Sequence, residues 1–214
     1  MGITGNELDG LADSHEGLGT KFGAPSPHET PAPSLRWPRQ LPPMPPWLIG
    51  RDALLSELDR VWSRGASQRR LVVLNGMGGV GKTALALTWL HRRSQTFSQT
   101  NLYVDLNGSR LVHPADPGEV LRGFLIALGV SSADMPADVS QRAALFRTAT
   151  ADHRVAVLLD DVASAAQVLP LLPAGPDSMT IVTCQWPRNT PRRRPDKAPQ
   201  MATGFPVDGQ ISPR

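Results

Sequence analysis

The chain has 214 residues, of which 40% are apolar and 19% are charged, and its formal net charge is +3; this composition is typical of a soluble globular protein with one domain and tails. Its one cysteine, Cys184, excludes an intramolecular disulfide, and no pair of Cys or His has the spacing of zinc ligands. Because the N-terminus lacks the features of a signal peptide and no apolar run approaches the about 18 residues that span a bilayer, we expect a cytoplasmic protein without a membrane segment.

Proline divides the chain into three parts. Residues 1–46 contain nine of the 21 prolines, which predicts a disordered Pro-rich linker because such a segment buries too little apolar surface to offset its ordering entropy. Residues 186–214 contain six more prolines and an arginine cluster without periodicity, which predicts a disordered Arg/Pro-rich tail. The foldable domain is therefore expected at 47–185.

Helical and strand patterns alternate through this domain. Apolar residues recur at helical spacing after Asp52, which we predict as a helix N-cap. Helices are predicted at about 52–63, 83–93, 120–130, 139–149 and 163–169, and strands at 71–75, 102–106, 155–159 and 179–183. Strands that alternate with helices predict an α/β fold in three layers, with a mainly parallel sheet between two layers of helices.

A glycine-rich loop follows the first predicted strand and fits the pattern G-x-x-x-x-G-K-[ST]. Glycines let such a loop turn tightly around phosphates with its N–H groups pointing inward, and the helix that follows adds the positive end of its dipole. Lys82 is expected at the β- and γ-phosphates, and the hydroxyl of Thr83 is expected to bind magnesium. The residues predicted to bind the nucleotide here are Gly76, Met77, Gly78, Gly79, Val80, Gly81, Lys82 and Thr83.

Two carboxylates end the third predicted strand. Magnesium on a nucleotide takes a second protein ligand, and a carboxylate after a neighbouring apolar strand faces the phosphate loop across the sheet. Asp160 is predicted as this ligand. Asp161 is predicted to position or deprotonate the attacking water, and the alternative is that it caps the helix that follows.

The segment before the first helix contains a further candidate. Gly50 permits close backbone approach to a flat ligand, and the helix that follows would hold Arg51 beside the phosphate loop. An adenine contact is one interpretation of this segment. A loop that only enters a helix is the other, and the residues alone leave both open.

Five segments in this order resemble the NB-ARC (STAND-class) P-loop ATPase module of actinobacterial transcriptional regulators. They are Ile-Gly-Arg-Asp, Gly-Met-Gly-Gly-Val-Gly-Lys-Thr, Leu-Tyr-Val-Asp-Leu-Asn-Gly, Leu-Leu-Asp-Asp-Val and Leu-Pro-Leu-Leu-Pro-Ala-Gly, and the resemblance covers about residues 41–184. It implies a P-loop NTPase fold and an ADP/ATP switch. The residues that it implicates are Gly50 and Arg51 at the adenine, Lys82 and Thr83 at the phosphates and metal, and Asp160 and Asp161 as the Walker B pair.

The chain departs from the family pattern at its C-terminal side. Thr183-Cys184-Gln185 stands where the family has a strand ending in arginine, so the residue that would sense the γ-phosphate is absent from that position. The fifth strand and the helical subdomain of the family do not follow, which predicts a sheet that is incomplete at its C-terminal side. We therefore expect slow or absent hydrolysis, in a truncated or frame-disrupted copy of a longer regulator without a DNA-binding domain before residue 41.

The function predicted from the sequence is binding of ATP or ADP with Mg²⁺, as the module of a STAND-type signalling or transcription-regulating ATPase. The alternative is a truncated, non-catalytic interaction protein with a vestigial nucleotide site, which would pair with a related full-length regulator or with itself. A small-molecule kinase is a third possibility, against which no acceptor-binding segment is recognisable.

Overall fold

A five-stranded sheet with the strand order β2-β3-β4-β1-β5 lies at the centre of the fold. The computed structural model describes residues 37–63, 70–97, 100–109, 114–185 and 200–203, the last segment by its backbone alone. The strands are β1 (Arg70–Gly76), β2 (Thr100–Asp105), β3 (Val155–Val162), β4 (Met179–Gln185) and β5 (Gln200–Thr203). The α-helices in the described segments are α1 (Asp52–Ser63), α2 (Lys82–Arg92), α3 (Pro117–Ala127), α4 (Val139–Thr150) and α5 (Ala165–Val168). Two 3₁₀ turns, Ser132–Asp134 and Leu169–Leu171, complete these elements.

Helices cover both faces of the sheet. Strands β1 to β4 are parallel, and successive side chains of a strand point to opposite faces. Val72 and Leu74 of β1 accordingly pack in the cluster that contains residues of α1 and α2, whereas Val73 packs in the cluster with α3 and α4. The predicted three-layer α/β fold with a mainly parallel sheet is confirmed. No helix of the described segments is long and apolar enough to cross a bilayer.

The first residues of the helices follow from the capping groups before them, and the spacing of apolar residues predicts these positions less closely. Helix α3 begins at Pro117, three residues before the predicted start, because Asp116 caps it by accepting from the backbone N–H of Glu119 at 3.2 Å. Helix α1 begins as predicted, but the N-cap prediction for Asp52 is wrong: the carbonyl of Arg51 accepts the N–H of Leu55, which makes Asp52 the first helical residue.

The prediction of a disordered linker is wrong for residues 37–46. The N–H of Gln40 donates to the carbonyl of Asn101 (2.9 Å), and the N–H of Asn101 donates to the carbonyl of Pro38 (2.8 Å). Prolines favour extended backbone, and the N–H groups between them can still pair with an edge strand such as β2. The rest of the predicted linker, residues 1–36, lies outside the described residues.

A short strand lies within the segment that was predicted as a tail. The backbone of residues 200–203 forms β5, which pairs antiparallel with residues 72–75 of β1. The outer edge of a strand presents unpaired N–H and C=O groups that a passing segment can satisfy. The family-type fifth strand was expected to be missing, and a short strand of opposite direction lies at this edge.

Two glycines give a test of the packing at the end of the sheet opposite the phosphate loop. A Cβ on Gly175 would lie 1.9 Å from the carbonyl oxygen of His153 and 2.4 Å from that of Thr150. We expect Gly175→Ala to lower the free energy of unfolding by about 3 kcal/mol or more, because backbone atoms must move to admit the methyl group.

Gly123→Ala is the matched control. Gly123 lies in α3 with no heavy atom within 4 Å of its Cβ position, so alanine should raise the free energy of unfolding by about 0.5–1 kcal/mol. Urea unfolding followed by circular dichroism measures both variants. Equal stability of Gly175→Ala and the wild type would contradict the packing described here.

Candidate nucleotide-binding site

The glycine-rich loop joins β1 to α2 at the carboxyl end of the sheet. Gly79 and Gly81 have φ angles of +78° and +88°, a region that favours glycine because it has no side chain. No heavy atom lies within 4 Å of the Cβ position of either residue. The conformation of the loop, and not crowding, therefore requires these glycines.

Lys82 begins α2 and folds its side chain back into this loop. Its Nζ donates to the carbonyl oxygens of Gly76 (3.0 Å) and Met77 (2.8 Å), and the residue is only 7% exposed. Burial lowers the pKa of Lys82, and the nearby acidic groups of Cys184, Asp160 and Asp161 oppose this effect. The loop thus holds a largely dehydrated amine against neutral carbonyls.

The hydroxyl of Thr83, in the first turn of α2, contacts the carboxylate of Asp160, near the end of β3. Thr83 Oγ1 donates to Asp160 Oδ1 at 2.7 Å, and the hydroxyl of Thr183 donates to the same carboxylate oxygen. Hydroxyl and carboxylate oxygens are hard ligands of the kind that Mg²⁺ takes beside phosphate and water. The oxygens of Thr83 and Asp160 therefore fit a magnesium ion.

A register shift near the end of β3 affects the directions of the Asp160 and Asp161 side chains. The pairing of β3 with β4 shifts between Leu159 and Val162, and Asp161 has a φ of +51°, which is uncommon for a residue with a side chain. Bulges of this kind redirect side chains at the end of a strand. Because of this shift, consecutive residues do not simply alternate between opposite faces of the sheet.

Asp161 is held by neighbouring polar groups. Its Oδ2 accepts from the backbone N–H of Ser109 (2.8 Å) and from the Ser109 hydroxyl, and its Oδ1 accepts from Gln185 Nε2 at 3.3 Å. The helix that follows begins at Ala165 with Ser164 in the N-cap position. The alternative that Asp161 caps this helix is therefore wrong.

Arg51 also lies beside the loop. Its Nη2 donates to the carbonyl of Val80 at 3.0 Å, and Gly50 before it has a φ of +68°. Helix α1, which begins after Arg51, is tied to α2 through Asp59, whose Oδ1 accepts from Trp89 Nε1 (2.8 Å). The adenine contact of Gly50 and Arg51 stays a prediction.

The sequence pattern predicts no function for Ser109, and Thr183 and Gln185 stand out in it only as a departure from the family pattern. Ser109 follows β2, and Thr183 and Gln185 lie at the end of β4, where Gln185 is the register partner of Gly76. Polar residues at the ends of parallel strands were the available signal, because these ends share one edge of the sheet.

Residues 52–183 match the family model of the NB-ARC domain, which is more than half of the 214 residues. The chain belongs to the NB-ARC family. Its NB-ARC domain is accordingly a P-loop nucleotide-binding module, with the loop and strand-end residues described above at the expected edge of the sheet.

The regulatory protein AfsR contains a similar region in two species. AfsR of Streptomyces coelicolor is 43% identical over an alignment of 163 residues, and the match covers 73% of this chain and 16% of AfsR. AfsR of Streptomyces griseus is 39% identical over 160 residues, with the same two shares. The chain thus spans about 16% of the length of these relatives.

Among solved structures, the Aeropyrum pernix ORC2 protein in its ADPNP–ADP complexes is similar over 67% of this chain and 42% of that chain. The sequence identity is 17% and the TM-score is 0.46.

The reactivity of the Cys184 thiol is a measure of the burial of β4 near its carboxyl end. The residue is 2% exposed, and burial raises the pKa of its thiol from 9.0 to about 11. Since the thiolate is the nucleophile and falls tenfold for each pH unit below the pKa, at pH 8 it is about 100-fold scarcer than in a thiol of ordinary pKa.

We therefore expect iodoacetamide to alkylate the native protein at least about 100-fold more slowly at pH 8 than the protein unfolded in urea. The native rate should continue to rise with pH to about 11. Intact mass spectrometry measures both rates, and Cys184 is the one cysteine that can react. A plateau of the native rate near pH 9 would contradict the burial of the thiol.

Proposed function

We propose that this NB-ARC domain binds ATP and ADP with Mg²⁺ and acts as the nucleotide-dependent module of a signalling or transcription-regulating protein. The observation that carries the proposal is the buried amine of Lys82, which is held by two loop carbonyls next to the Thr83–Asp160 pair. A cationic group, loop N–H groups and hard oxygen ligands are thereby gathered at one edge of the sheet.

The phosphates of the nucleotide would bind inside the glycine-rich loop. Phosphate oxygens are charged acceptors, and hydrogen bonds between ionised partners are about twice as strong as neutral ones. Lys82 would therefore exchange its contacts with the carbonyls of Gly76 and Met77 for contacts with phosphate. The N-terminus of α2, which has 11 residues, adds N–H groups and a positive dipole end at the same point.

Thr83 and Asp160 would hold the magnesium ion. When bound, the ion would neutralise charge on the phosphate oxygens. The hydrogen bond between Thr83 and Asp160 would open so that both oxygens face the metal, while the hydroxyl of Thr183 keeps the carboxylate of Asp160 in place. The protein contributes this orientation before any ligand arrives.

The adenine side of the site would be formed by Gly50 and Arg51. The guanidinium of Arg51 is engaged with the carbonyl of Val80, which keeps the segment beside the loop. Ile49, directly before Gly50, is 89% exposed, and an exposed apolar side chain can cover the face of a purine. A flat apolar ligand next to the phosphate loop agrees with this arrangement.

Hydrolysis would be slow or absent. The carboxylate of Asp161 accepts hydrogen bonds from Ser109 and Gln185, so both of its oxygens already have partners. Asp161 would then contribute to catalysis by positioning its neighbours, and any turnover would depend on Lys82 and the metal ion.

Lys82→Ala tests the phosphate site. We expect the affinity for both ATP and ADP, each with Mg²⁺, to fall by at least about 100-fold, because the charged hydrogen bonds of the amine are lost. Isothermal titration calorimetry of the full chain measures the affinities.

Arg122→Ala is the matched control, since it removes one positive charge from α3 at a side chain that is 47% exposed, and it should bind like the wild type. Unchanged affinity of Lys82→Ala would overturn the assignment. A folded wild-type chain that binds neither nucleotide would favour the alternative of an interaction protein with a vestigial site.

Asp160→Asn tests the metal site. With Mg²⁺ present we expect nucleotide affinity to fall about tenfold or more, because the variant loses a charged metal ligand. With EDTA in place of Mg²⁺ the affinity should equal or exceed that of the wild type, since a negative charge near the phosphates is gone.

Asp134→Asn is the control for Asp160→Asn, because Asp134 is an exposed residue of the 3₁₀ turn Ser132–Asp134. Calorimetry with and without Mg²⁺ separates the two effects. An equal loss of affinity in both conditions would contradict a role of Asp160 at the metal.

A further inference from the structure

Residues 37–51 form a segment, here called the strap, that leads from the edge of the sheet to the start of α1. Near its beginning, the N–H of Gln40 donates to the carbonyl of Asn101 in β2 (2.9 Å). At its end, the guanidinium of Arg51 donates to the carbonyl of Val80 in the phosphate loop (3.0 Å). The strap therefore links one edge of the sheet to the candidate nucleotide-binding site.

The last turn of α2 holds the middle of the strap. Nε2 of His91 lies 2.8 Å from the carbonyl oxygen of Pro42, and because a carbonyl oxygen only accepts, this nitrogen must carry the hydrogen and donate it. An imidazolium carries a hydrogen on both nitrogens, so protonation of the ring keeps the donor. His91 therefore fixes the strap at the end of α2 that lies farthest from the phosphate loop.

The strap is thus attached at both ends of α2. Arg51 is attached at Val80, just before the helix begins, and Pro42 is attached at His91. The helix has 11 residues and is about 16 Å long. Proline restricts φ and makes an extended segment stiff, and four prolines lie at the start of the stretch between the two attachments, namely Pro42, Pro43, Pro45 and Pro46. Movement at His91 would therefore displace Arg51.

Apolar packing does not fix the strap over its whole length. Leu41 and Leu48 pack against the core cluster that contains residues of α1 and α2, but Trp47 and Ile49 are 77% and 89% exposed. A cavity of about 380 Å³ lies beside Leu41, between the strap and the end of α2. The hydrogen bond of His91 therefore restrains a part of the strap that packing leaves loose.

We propose that His91 is a positioning residue for the base side of the nucleotide site, on which it acts by holding the strap against α2. The inference rests on the proposed nucleotide binding, in which Gly50 and Arg51 contact the adenine. Release of the strap would lower the affinity for a nucleotide and leave the affinity for phosphates alone unchanged, because the phosphate-binding residues belong to the loop and to α2. By linkage, nucleotide binding would stabilise the attached strap by the same factor.

The first test compares ATP with tripolyphosphate, which has the phosphates of ATP but no base, each with Mg²⁺, by calorimetry on the full chain. We expect His91→Ala to lower the affinity for ATP by about three- to tenfold, which corresponds to the net loss of one hydrogen bond. The affinity for tripolyphosphate should change by less than about twofold. His91→Gln keeps a donor at a similar distance from the backbone and should restore most of the affinity for ATP.

Arg92→Ala is the matched control, since Arg92 is the exposed neighbour of His91 in the last turn of α2, and this variant should keep both affinities. Lys82→Ala should instead lower both affinities. Equal losses for ATP and tripolyphosphate in His91→Ala would show that His91 supports α2 as a whole. An unchanged affinity for ATP would show that the strap does not position the base side, and either result overturns the inference.

Hydrogen exchange of backbone amides measures the attachment of the strap directly. We expect His91→Ala to speed the exchange of the Gln40 amide by about three- to tenfold, while the amides between β3 and β4 exchange as in the wild type. In the wild type, ATP should slow the exchange of Gln40 and tripolyphosphate should not, because the coupling is reciprocal. Unchanged exchange of Gln40 in His91→Ala would overturn the role of His91 in holding the strap.

Failure of the proposed function would be visible separately. A wild-type chain that binds neither ATP nor tripolyphosphate removes the nucleotide site as a whole, and this inference with it. A wild type that binds ATP more tightly than tripolyphosphate, with a ratio that His91→Ala leaves unchanged, removes only the role assigned to His91.

Discussion

The position of β4 between β1 and β3 is the constraint on which the site depends. Parallel pairing on both sides aligns the carboxyl ends of these strands, and backbone hydrogen bonds set their register. The end of β1 continues into the phosphate loop, and the end of β3 carries Asp160 two strands away. Thr183 of β4 lies between them and donates to that carboxylate. Loss of this register would separate groups that are far apart in the chain.

The charged side chains of the site form hydrogen bonds with neutral groups. Lys82 contacts carbonyl oxygens, and Asp160 contacts hydroxyl groups. Such partners satisfy a buried or half-buried charge without neutralising it, so that a phosphate or a metal ion can replace them. A direct ion pair between the amine and the carboxylate would instead have to be broken before either ligand could bind.

The parts of the site that the sequence predicts are those that are contiguous in the chain. The phosphate loop and the residues Asp160 and Asp161 are recognisable because a strand pattern stands directly before each of them. The contact of Gln185 with Asp161 depends on a register shift in β3 and on a left-handed residue, neither of which leaves a periodic signal. The strand β5 and the paired segment at 37–46 were missed because composition measures burial, whereas edge pairing requires only free backbone groups.

Asp59 joins α1 to α2, and this link bears on ligand affinity. Its Oδ1 accepts from Trp89 Nε1 at 2.8 Å and from Arg93 Nη2 at 2.6 Å, so α1 and α2 are fastened to one another far from their N-termini. Arg51 stands before one helix and Lys82 begins the other. The segment before α1 and the phosphate loop are thus preorganised, so a ligand that contacted both would lose little affinity to the ordering of either helix.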